Sequence, residues 1–527
     1  MKYDKKPFPK KREYPGEQQQ YSGNRTTRNE SKPIIDLVDG DYFEGLVKIL
    51  RKSQPGPVIF TVSDGYGTAD AVTKNSEFQA GNVVKLSGEV IERAGKIQIE
   101  IFRMERSDAD FSEIIKKNSE PVRKTFSIES ERYEKLRYRF IDIARRIRKA
   151  ILENQSIMIR HHADSDGIIS GLVIEHSCKR FIEKIGLNPD FNVYRSPSKA
   201  PFYEVSDVFR DIVLSKRLIE GHGQEKPLIV VLDNGSTPED VTGLKILKNL
   251  GYEVIVIDHH NPVIIKDKKT AVDPYLSFHL NPYIEGLDSQ TSAGMLSYEV
   301  ARFIFEDFDG PLYPAVAAIS DRTNIQETQD YIKNTGKERA FLEKIGIAID
   351  FIAYNLKYDA GKGLFEELFT KQELVKTINE EVQKGVETQL QSTMPYLRTQ
   401  DIEGITFSTI DIEKYTVRFK YPNPGKVVGM IHDLVAEGKE NMPVITIGYL
   451  SDMTIIRATK PVLPVQKIMD NLKKKFPQAN IDGGGHECAG TIKFVPAHLN
   501  AVLEEIKEQI KALHYMTNLK DDESCRI

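Results

Sequence analysis

The chain has 527 residues, of which 40% are hydrophobic and 28% charged, a composition typical of globular proteins rather than disordered or fibrous ones. One hydrophobic core rarely serves such a length, so we expect roughly three to four domains. No apolar run approaches the roughly 18 residues of a membrane span, and the N-terminus lacks the apolar segment of a secretory signal. These features predict a cytoplasmic protein without a membrane partner. The three cysteines lie far apart, which argues against a disulfide framework and a cysteine zinc site.

Charge is unevenly distributed along the chain. The net charge is −4, yet residues 1–31 carry eight Lys and Arg against four Asp and Glu, a net charge of +4. We interpret residues 1–33 as a disordered basic tail, because they contain almost no aliphatic side chains, and residues 513–527 as a second tail. The overall charge excludes general electrostatic attraction to nucleic acid, so any such contact has to be local.

Residues 34–107 contain five short runs of alternating apolar residues, separated by turn signals such as Asp64-Gly65 and Ala94-Gly95. Five strands in this length resemble a small closed barrel of the OB-fold type. Aromatic and basic side chains on its strands would supply stacking and charge for a single-stranded nucleic acid, whereas the alternative is a barrel without a ligand. The side chains considered for this contact are Phe60, Tyr66, Lys48, Arg51 and Lys52.

Residues 108–150 are predicted to form a linker that contains a long amphipathic helix, because apolar residues recur at spacings of three and four. Ser127 or Ser130 would cap its N-terminus. The helix also carries many Arg and Lys side chains. Such a face is more often a solvated surface than a nucleic-acid groove.

In residues 151–333, apolar β-branched runs alternate with helical stretches. The runs at 156–160, 191–195, 227–233 and 252–258 predict a parallel sheet covered by helices on both faces. In such sheets, ligands bind beyond the carboxyl ends of the strands.

Three of these predicted strands are followed by carboxylate and imidazole side chains. The three motifs are His161-His162-Ala163-Asp164-Ser165-Asp166-Gly167, Asp233-Asn234-Gly235-Ser236 and Asp258-His259-His260. A single Asp at such a place usually caps a helix. Several acids crowded at one edge would repel one another unless a cation joined them. Oxygen and imidazole ligands without thiolate favour manganese or magnesium, with zinc as an alternative.

These motifs resemble the DHH phosphoesterase superfamily, which is named for a motif like Asp258-His259-His260. The stretch Ala318-Ile319-Ser320-Asp321-Arg322 is similar to a further motif of that superfamily, and Gly483-Gly484-Gly485-His486 is similar to the signature of its DHHA1 domain. The resemblance implies an α/β protein in which a parallel-sheet DHH domain at 151–333 is followed by a helical connector at 334–395 and a smaller α/β DHHA1 domain at 396–512. The order of barrel, DHH domain and DHHA1 domain looks most like archaeal RecJ-like single-strand-specific exonucleases.

The resemblance also implies two divalent cations, manganese in the first place and magnesium as the alternative, and hydrolysis of a phosphodiester by water that the metals activate. The metal ligands that it implies are Asp164, Asp166, Asp233, His259 and Asp321, with Asp233 as the bridge. Asp258 would orient His259, and His260 would contact the scissile phosphate or protonate the leaving oxygen. Several subfamilies carry a metal-binding histidine where this chain has Arg160. We therefore leave open which of His161 and His162 contacts metal, and favour His162.

The DHHA1 domain is expected to bind the substrate. Three adjacent glycines, Gly483, Gly484 and Gly485, leave backbone N–H groups accessible to a phosphate, and His486 and Arg457 would assist. A tight turn and a surface arginine are the alternative interpretations of these residues.

We therefore expect a metal-dependent exonuclease that acts on single-stranded DNA or RNA in repair or replication. One alternative is a hydrolase of short oligonucleotides or small phosphoesters. The other is a structural partner of the replicative helicase complex, because the archaeal relatives resemble factors that associate with GINS-like replication proteins.

Overall fold

The structure is a computed structural model, and it describes residues 32–54, 56–198, 200, 202–222, 224–439, 442–459, 465–485 and 488–523. The predicted basic tail therefore lies outside the described residues, apart from its last two positions. Within these ranges, no helix is both long enough and apolar enough to cross a membrane.

The N-terminal domain is a closed five-stranded barrel. Its strands are β1 (Tyr42–Ser53), β2 (Val58–Ser63), β3 (Thr68–Thr73), β4 (Val83–Arg93) and β5 (Lys96–Arg106). They follow the order β1-β2-β3-β5-β4, the β1–β4 pair closes the barrel, and β3 and β5 run parallel. This arrangement confirms the predicted OB-like barrel.

The aromatic side chains of the barrel differ from the prediction. Phe60 is 0% exposed in the barrel core, because positions 58, 60 and 62 of β2 point inward under the two-residue alternation of a strand. It cannot stack on a base. Tyr66 is 44% exposed, and Tyr42 and Phe102 are 57% and 63% exposed with ring centroids 6.4 Å apart.

The predicted linker consists of helices α1 (Ser112–Ser119) and α2 (Glu131–Leu152). Ser130 caps α2 and accepts a hydrogen bond from the N–H of Tyr133, which confirms one of the two proposed caps. The apolar face of α2 belongs to the same hydrophobic core as the parallel sheet. Several of its arginines pair with acids, as Arg146 does with Glu253 at 2.6 Å. These pairs favour a structural role for the basic face.

The central domain contains the predicted parallel sheet. Its strands and helices are β6 (Ile157–His161), α3 (Ser165–Lys184), β7 (Val193–Pro197), α4 (Val205–His222), β8 (Leu228–Leu232), α5 (Val241–Asn249), β9 (Glu253–Ile257), a separate hairpin of β10 (Ile264–Lys266) and β11 (Lys269–Thr270), β12 (Phe278–Leu280), α6 (Ala293–Ile304), α7 (Leu312–Ser320) and α8 (Gln326–Thr335). The order is β12-β9-β8-β6-β7, with every pair parallel. The three-residue β12 is too short to stand out in the sequence.

The connector and the C-terminal domain follow. Their elements are α9 (Arg339–Leu356), α10 (Leu364–Glu367), α11 (Gln372–Thr393), β13 (Arg398–Ile402), β14 (Ile405–Asp411), α12 (Ile412–Tyr415), α13 (Pro424–Ala436), β15 (Val444–Tyr449), β16 (Met453–Ala458), α14 (Val465–Lys475), β17 (Asp482–Gly485), β18 (Ala489–Lys493) and α15 (Leu499–Glu523). The six strands form a mixed sheet in the order β13-β14-β15-β16-β18-β17. This sheet has its own hydrophobic core, separate from that of the central domain. The fold is thus α/β with two sheets, preceded by the barrel.

Candidate metal centre and active site

The predicted site residues meet at one edge of the parallel sheet. In the register of the sheet, His161 at the end of β6 lies beside Leu232 of β8, which in turn lies beside Ile257 of β9. The residues that follow these three strands therefore emerge together. This agrees with the rule that ligands of parallel sheets bind beyond the carboxyl ends of the strands.

Two groups of potential metal ligands occur among the described residues, and both contain Asp233. The groups are His162, Asp164 and Asp233, and Asp233, His259 and His260. Within each group the ligand atoms lie within 4.8 Å of one another. Asp233 Oδ2 lies 3.4 Å from His162 Nδ1, and Asp233 Oδ1 lies 3.3 Å from His259 Nε2. The two oxygens of one carboxylate therefore face the two groups.

The other two predicted metal ligands lie beside His259. Asp166 Oδ2 is 3.9 Å from its Nε2, and Asp321 Oδ2 is 3.6 Å from its Nδ1. The structure thus brings all five predicted ligands and His162 together at one place.

Backbone geometry fixes the loops that carry these acids. Asp164 caps α3 and accepts a hydrogen bond of 3.0 Å from the N–H of Gly167. A Cβ at Gly167 would lie 2.4 Å from the backbone oxygen of His162, so this turn requires glycine. Asp233 has a φ of +56°, a left-handed conformation that Asp and Asn adopt more readily than most residues.

Helix α6 makes a contribution that the sequence analysis missed. The carboxylate of Asp166 accepts hydrogen bonds of 2.9 Å from the N–H groups of Ala293 and Gly294, in the first turn of α6. The positive end of the helix dipole and these donors stabilise a buried negative charge. The only signal in the sequence was Ser292, a residue type that commonly caps a helix.

The cluster carries unbalanced negative charge. Burial and the neighbouring carboxylates Asp233 and Asp321 raise the pKa of Asp166 well above its ordinary value. Burial, together with Asp233 and Asp164, raises the pKa of Asp321 to about 6. Burial and mutual repulsion favour the protonated form of these acids. A bound dication would relieve that repulsion and replace the protons, so the cluster is suited to binding one. The donor set of carboxylate oxygens and imidazole nitrogens fits manganese or magnesium.

The acids also raise the pKa values of the imidazoles that lie among them. Burial lowers the pKa of His162 and of His259, but the carboxylates beside them outweigh it, and both pKa values lie well above the ordinary one. For His162 the principal carboxylate is Asp164, whose Oδ2 lies 3.0 Å from Nδ1. Protons on these rings partly balance the acids in the metal-free protein.

The role of Asp258 differs from the prediction. Its Oδ1 lies 2.7 Å from His260 Nδ1 and accepts from the backbone N–H groups of His259 and His260. The ring of His259 is instead held by the backbone oxygen of Ser289, 2.8 Å from Nδ1. Asp258 therefore orients His260 rather than His259. The cause is local, since a short Asp side chain readily bonds groups two residues further along the chain.

His161 and His162 have different surroundings, although they are neighbours in the chain. His162 joins the cluster, whereas His161 is fully buried with its Nε2 3.2 Å from Arg195 Nη1. Burial and this arginine lower the pKa of His161 to about 3, so the ring is neutral. Arg160, at the position where several subfamilies carry a metal-binding histidine, forms a buried ion pair with Asp211 and has no part in the cluster.

The glycine signature forms a strand rather than a loop. Gly483, Gly484 and Gly485 belong to β17, which pairs with β18 at the edge of the C-terminal sheet. A Cβ at Gly483 would lie 2.1 Å from the backbone oxygen of Thr491, whereas a Cβ at Gly484 would meet no atom of the described residues within 4 Å. Close packing therefore explains why a glycine is needed at position 483, but it does not explain the glycine at position 484. His486 lies outside the described residues.

Arg457 on β16 lies close to the boundary of the two domains. Burial and the neighbouring guanidinium of Arg322 lower its pKa, and Asp433 opposes this. Arg322 follows Asp321 in the chain and pairs with Asp433 of α13 through two contacts of 2.9 and 3.1 Å. Arg322 and Asp433 thus form an ion pair between the two domains, and Arg457 lies within electrostatic reach of both.

Comparison with known proteins agrees with this arrangement. The profile of the DHH family, N-terminal domain, matches residues 156–315. An uncharacterized protein of Methanocaldococcus jannaschii is 37% identical over an alignment of 508 positions, which covers 87% of this chain and 67% of that protein. Among solved structures, the DHH domain of a protein described as a member of a family of ribosomal proteins is 36% identical with a TM-score of 0.73, covering 76% of this chain and 96% of that one.

A manganese complex of RecJ from Thermus thermophilus is 15% identical with a TM-score of 0.46, covering 72% of this chain and 55% of that one. The family assignment does not depend on this distant similarity. It rests on the profile match, on the two relatives with more than a third of their residues identical, and on the motif residues gathered at one sheet edge. The chain belongs to the DHH family.

Proposed function

We propose that this protein is a divalent-metal-dependent phosphodiesterase that degrades single-stranded DNA or RNA from an end, in the manner of RecJ-like exonucleases, during repair or replication. The observation that carries the proposal is the pair of ligand groups that share Asp233. A carboxylate shared between two sets of ligands can hold two cations close together, and two close cations are what a two-metal hydrolase uses.

The residues present fit two cations, manganese or magnesium. His162 and Asp164 would hold one, His259, Asp166 and Asp321 would hold the other, and Asp233 would contact both. When bound, such a metal pair activates the attacking water and stabilises charge on the transferred phosphoryl group.

His260 is suited to give a proton to the leaving oxygen. Asp258 holds its Nδ1 at 2.7 Å and thereby fixes the orientation of the ring. Burial lowers the pKa of His260, but the negative charge of Asp258 outweighs it and raises the pKa above the ordinary value. A protonated imidazole beside the scissile bond is a competent general acid near neutral pH.

The C-terminal domain would hold the strand. Arg457 lies within electrostatic reach of Arg322, the residue that follows the predicted ligand Asp321. A guanidinium binds phosphate through two parallel hydrogen bonds. The open side of Gly484 would let a phosphate approach the edge strand.

The barrel would bind the strand further from the scissile bond. Tyr42 and Phe102 form an exposed aromatic pair on its surface, and base stacking on such rings is tolerant of sequence. Lys48, Arg51 and Lys52 remain the proposed source of positive charge.

The test is digestion of 5′- and 3′-labelled DNA and RNA single strands by chelator-treated protein resupplied with manganese or magnesium. We expect a ladder of single-nucleotide steps from one end, absent without metal. Hydrolysis of dinucleotides alone would establish the short-oligonucleotide alternative. Metal-independent binding of strands or replication proteins without any hydrolysis would refute the enzyme and favour the structural partner.

A further inference from the structure

A helix of the connector supports the first metal-binding loop. Ser165 lies between the predicted ligands Asp164 and Asp166, and both its N–H and its hydroxyl lie 2.9 Å from Oδ1 of Asp350 in α9. The hydroxyl oxygen also lies 2.7 Å from the backbone oxygen of Gly346, one helical turn earlier, so its single hydrogen is shared between these two acceptors. Asp350 therefore fixes the residue on which the spacing of the two ligands depends.

The other oxygen of Asp350 faces the C-terminal domain. Lys426, in the first turn of α13, forms an ion pair with Oδ2 of Asp350. The Asp350 side chain is 15% exposed and that of Lys426 is 36% exposed. The positive charge of Lys426 reaches the cluster as well, because it contributes to lowering the pKa of Asp164.

The segment that carries Lys426 is firmly attached to the connector. The ring of Tyr421 packs against Phe351 and Tyr354 of α9, with centroids 5.3 and 5.4 Å away. Gln389 of α11 donates hydrogen bonds to the backbone oxygens of Val417 and Pro422 at 2.9 and 3.0 Å. Lys426 therefore reaches Asp350 from a fixed position rather than as a mobile surface side chain.

We propose that Lys426 and Asp350 are positioning residues that couple the docking of the C-terminal domain to the geometry of the metal-binding loop at Asp164 and Asp166. Lys426 orients Asp350, Asp350 holds Ser165, and Ser165 sets the direction of the two ligands beside it. This inference rests on the proposed metal site. Its consequence is that the domain that would hold the strand also completes the site that would cleave it.

A purely electrostatic role of Lys426 and a positioning role predict opposite changes in metal affinity when its charge is removed. A lysine that merely lay near the acids would repel a metal cation, so its removal would strengthen metal binding. A lysine that positions the loop would weaken metal binding when removed, by about 10-fold to 100-fold, the usual effect of losing a group that orients a ligand. The sign of the change therefore separates the two roles.

The experiment measures manganese affinity by titrating metal-free full-length protein and following free Mn²⁺ by electron paramagnetic resonance. The variants are Lys426→Met, Lys426→Arg, Asp350→Ala and the double variant Lys426→Met/Asp350→Ala. Lys420→Met is the matched control, an exposed lysine of the same segment. Circular dichroism and thermal unfolding verify that each variant is folded.

We expect Lys426→Met and Asp350→Ala each to weaken Mn²⁺ binding about 10-fold or more, with Lys426→Arg close to the parent. The double variant should bind no more weakly than Asp350→Ala, because the two residues act along one path. Binding by Lys426→Met that equals or exceeds that of Lys420→Met would overturn the inference while leaving the metal site intact. If the parent itself bound no Mn²⁺, the proposed function would fail together with the inference.

Discussion

Replacing Asp233 by asparagine removes one negative charge from both ligand groups while changing the shape of the site very little. The backbone at this residue has a φ of +56°, which asparagine tolerates as well as aspartate does. Alanine would add backbone strain at the same position. Asp233→Asn therefore tests the charge of the proposed bridge separately from the conformation of its loop.

The substitution is expected to lower turnover without lowering the thermal stability of the metal-free protein. One oxygen of Asp233 lies 3.3 Å from His259 and the other 3.4 Å from His162, so both cations would lose a ligand charge. We expect metal-dependent turnover to fall by at least about 100-fold, equivalent to about 2.7 kcal/mol of transition-state stabilisation. The charge of Asp233 also contributes to the raised pKa values of Asp166 and Asp321. Removing it relieves that repulsion but also removes a carboxylate partner of His162 and His259, so the Tm of the metal-free variant should stay close to that of the parent.

The assay compares turnover of a labelled single strand by chelator-treated protein after manganese is restored, together with thermal unfolding without metal. Glu239→Gln is a matched control, because it neutralises an acid six residues away that belongs to neither ligand group. Turnover by Asp233→Asn within a few-fold of the parent would refute the bridging role. A large fall in its metal-free Tm would show instead that the carboxylate supports the fold.

Three further predictions concern the strand-binding surfaces and pH. Gly484→Val and Arg457→Ala should each slow degradation of single strands at least about 10-fold, because remote contacts position a long substrate. Both variants should hydrolyse bis-nitrophenyl phosphate near the parental rate, and parallel loss of the two activities would contradict this prediction. Alanine at both Tyr42 and Phe102 should weaken binding of long strands about 10-fold or more without affecting dinucleotide hydrolysis, and equal effects would exclude a stacking role. The cluster histidines have raised pKa values, so they stabilise the metal-free fold below their unfolded pKa of about 6.5, and this contribution is lost as pH rises through their folded values. The increase in Tm on adding Mn²⁺ should thus be larger at pH 8.5 than at pH 7, and equal increases would contradict the charge assignment.

The sequence was most informative where chemistry and strand periodicity coincide. The predicted strand at 227–233 is β8 at Leu228–Leu232, and Asp233 follows it as expected. A buried parallel strand is a continuous apolar run in the sequence, so the first carboxylate residue after the run marks its end. The edge at which the acids gather then follows from parallel pairing alone.

Periodicity was less informative about the direction of individual side chains. Phe60 and Tyr66 both looked available for stacking, but Phe60 lies in the barrel core. Alternation shows that two faces exist, but not which of them closes on the core of a small barrel. The pairing of Asp258 with His260 was missed for a similar reason, because it depends on the conformation of a turn and not on the residue types present.

Contacts between segments that are distant in the chain could not be predicted from the sequence. Ser165 and Asp350 are 185 residues apart, and Asp350 and Lys426 are 76 apart. Each resembles an ordinary polar residue of a helix or loop when the sequence is considered alone. Their connection arises only because α9 packs against the first motif and the start of α13 contacts α9.

This arrangement explains how the acidic cluster is sustained before any metal binds. Asp166 is stabilised by the first turn of α6, whereas Asp164 is stabilised by His162 and by the more distant charge of Lys426. Buried carboxylates without such partners would be too costly to keep ionised. The supporting charges come from both domains, so separating the domains would raise the energetic cost of keeping the acids buried. The charge of Lys426 by itself opposes a cation at this site. Docking of the C-terminal domain is therefore expected to strengthen metal binding through the hold of Asp350 on Ser165, which sets the two ligands in place.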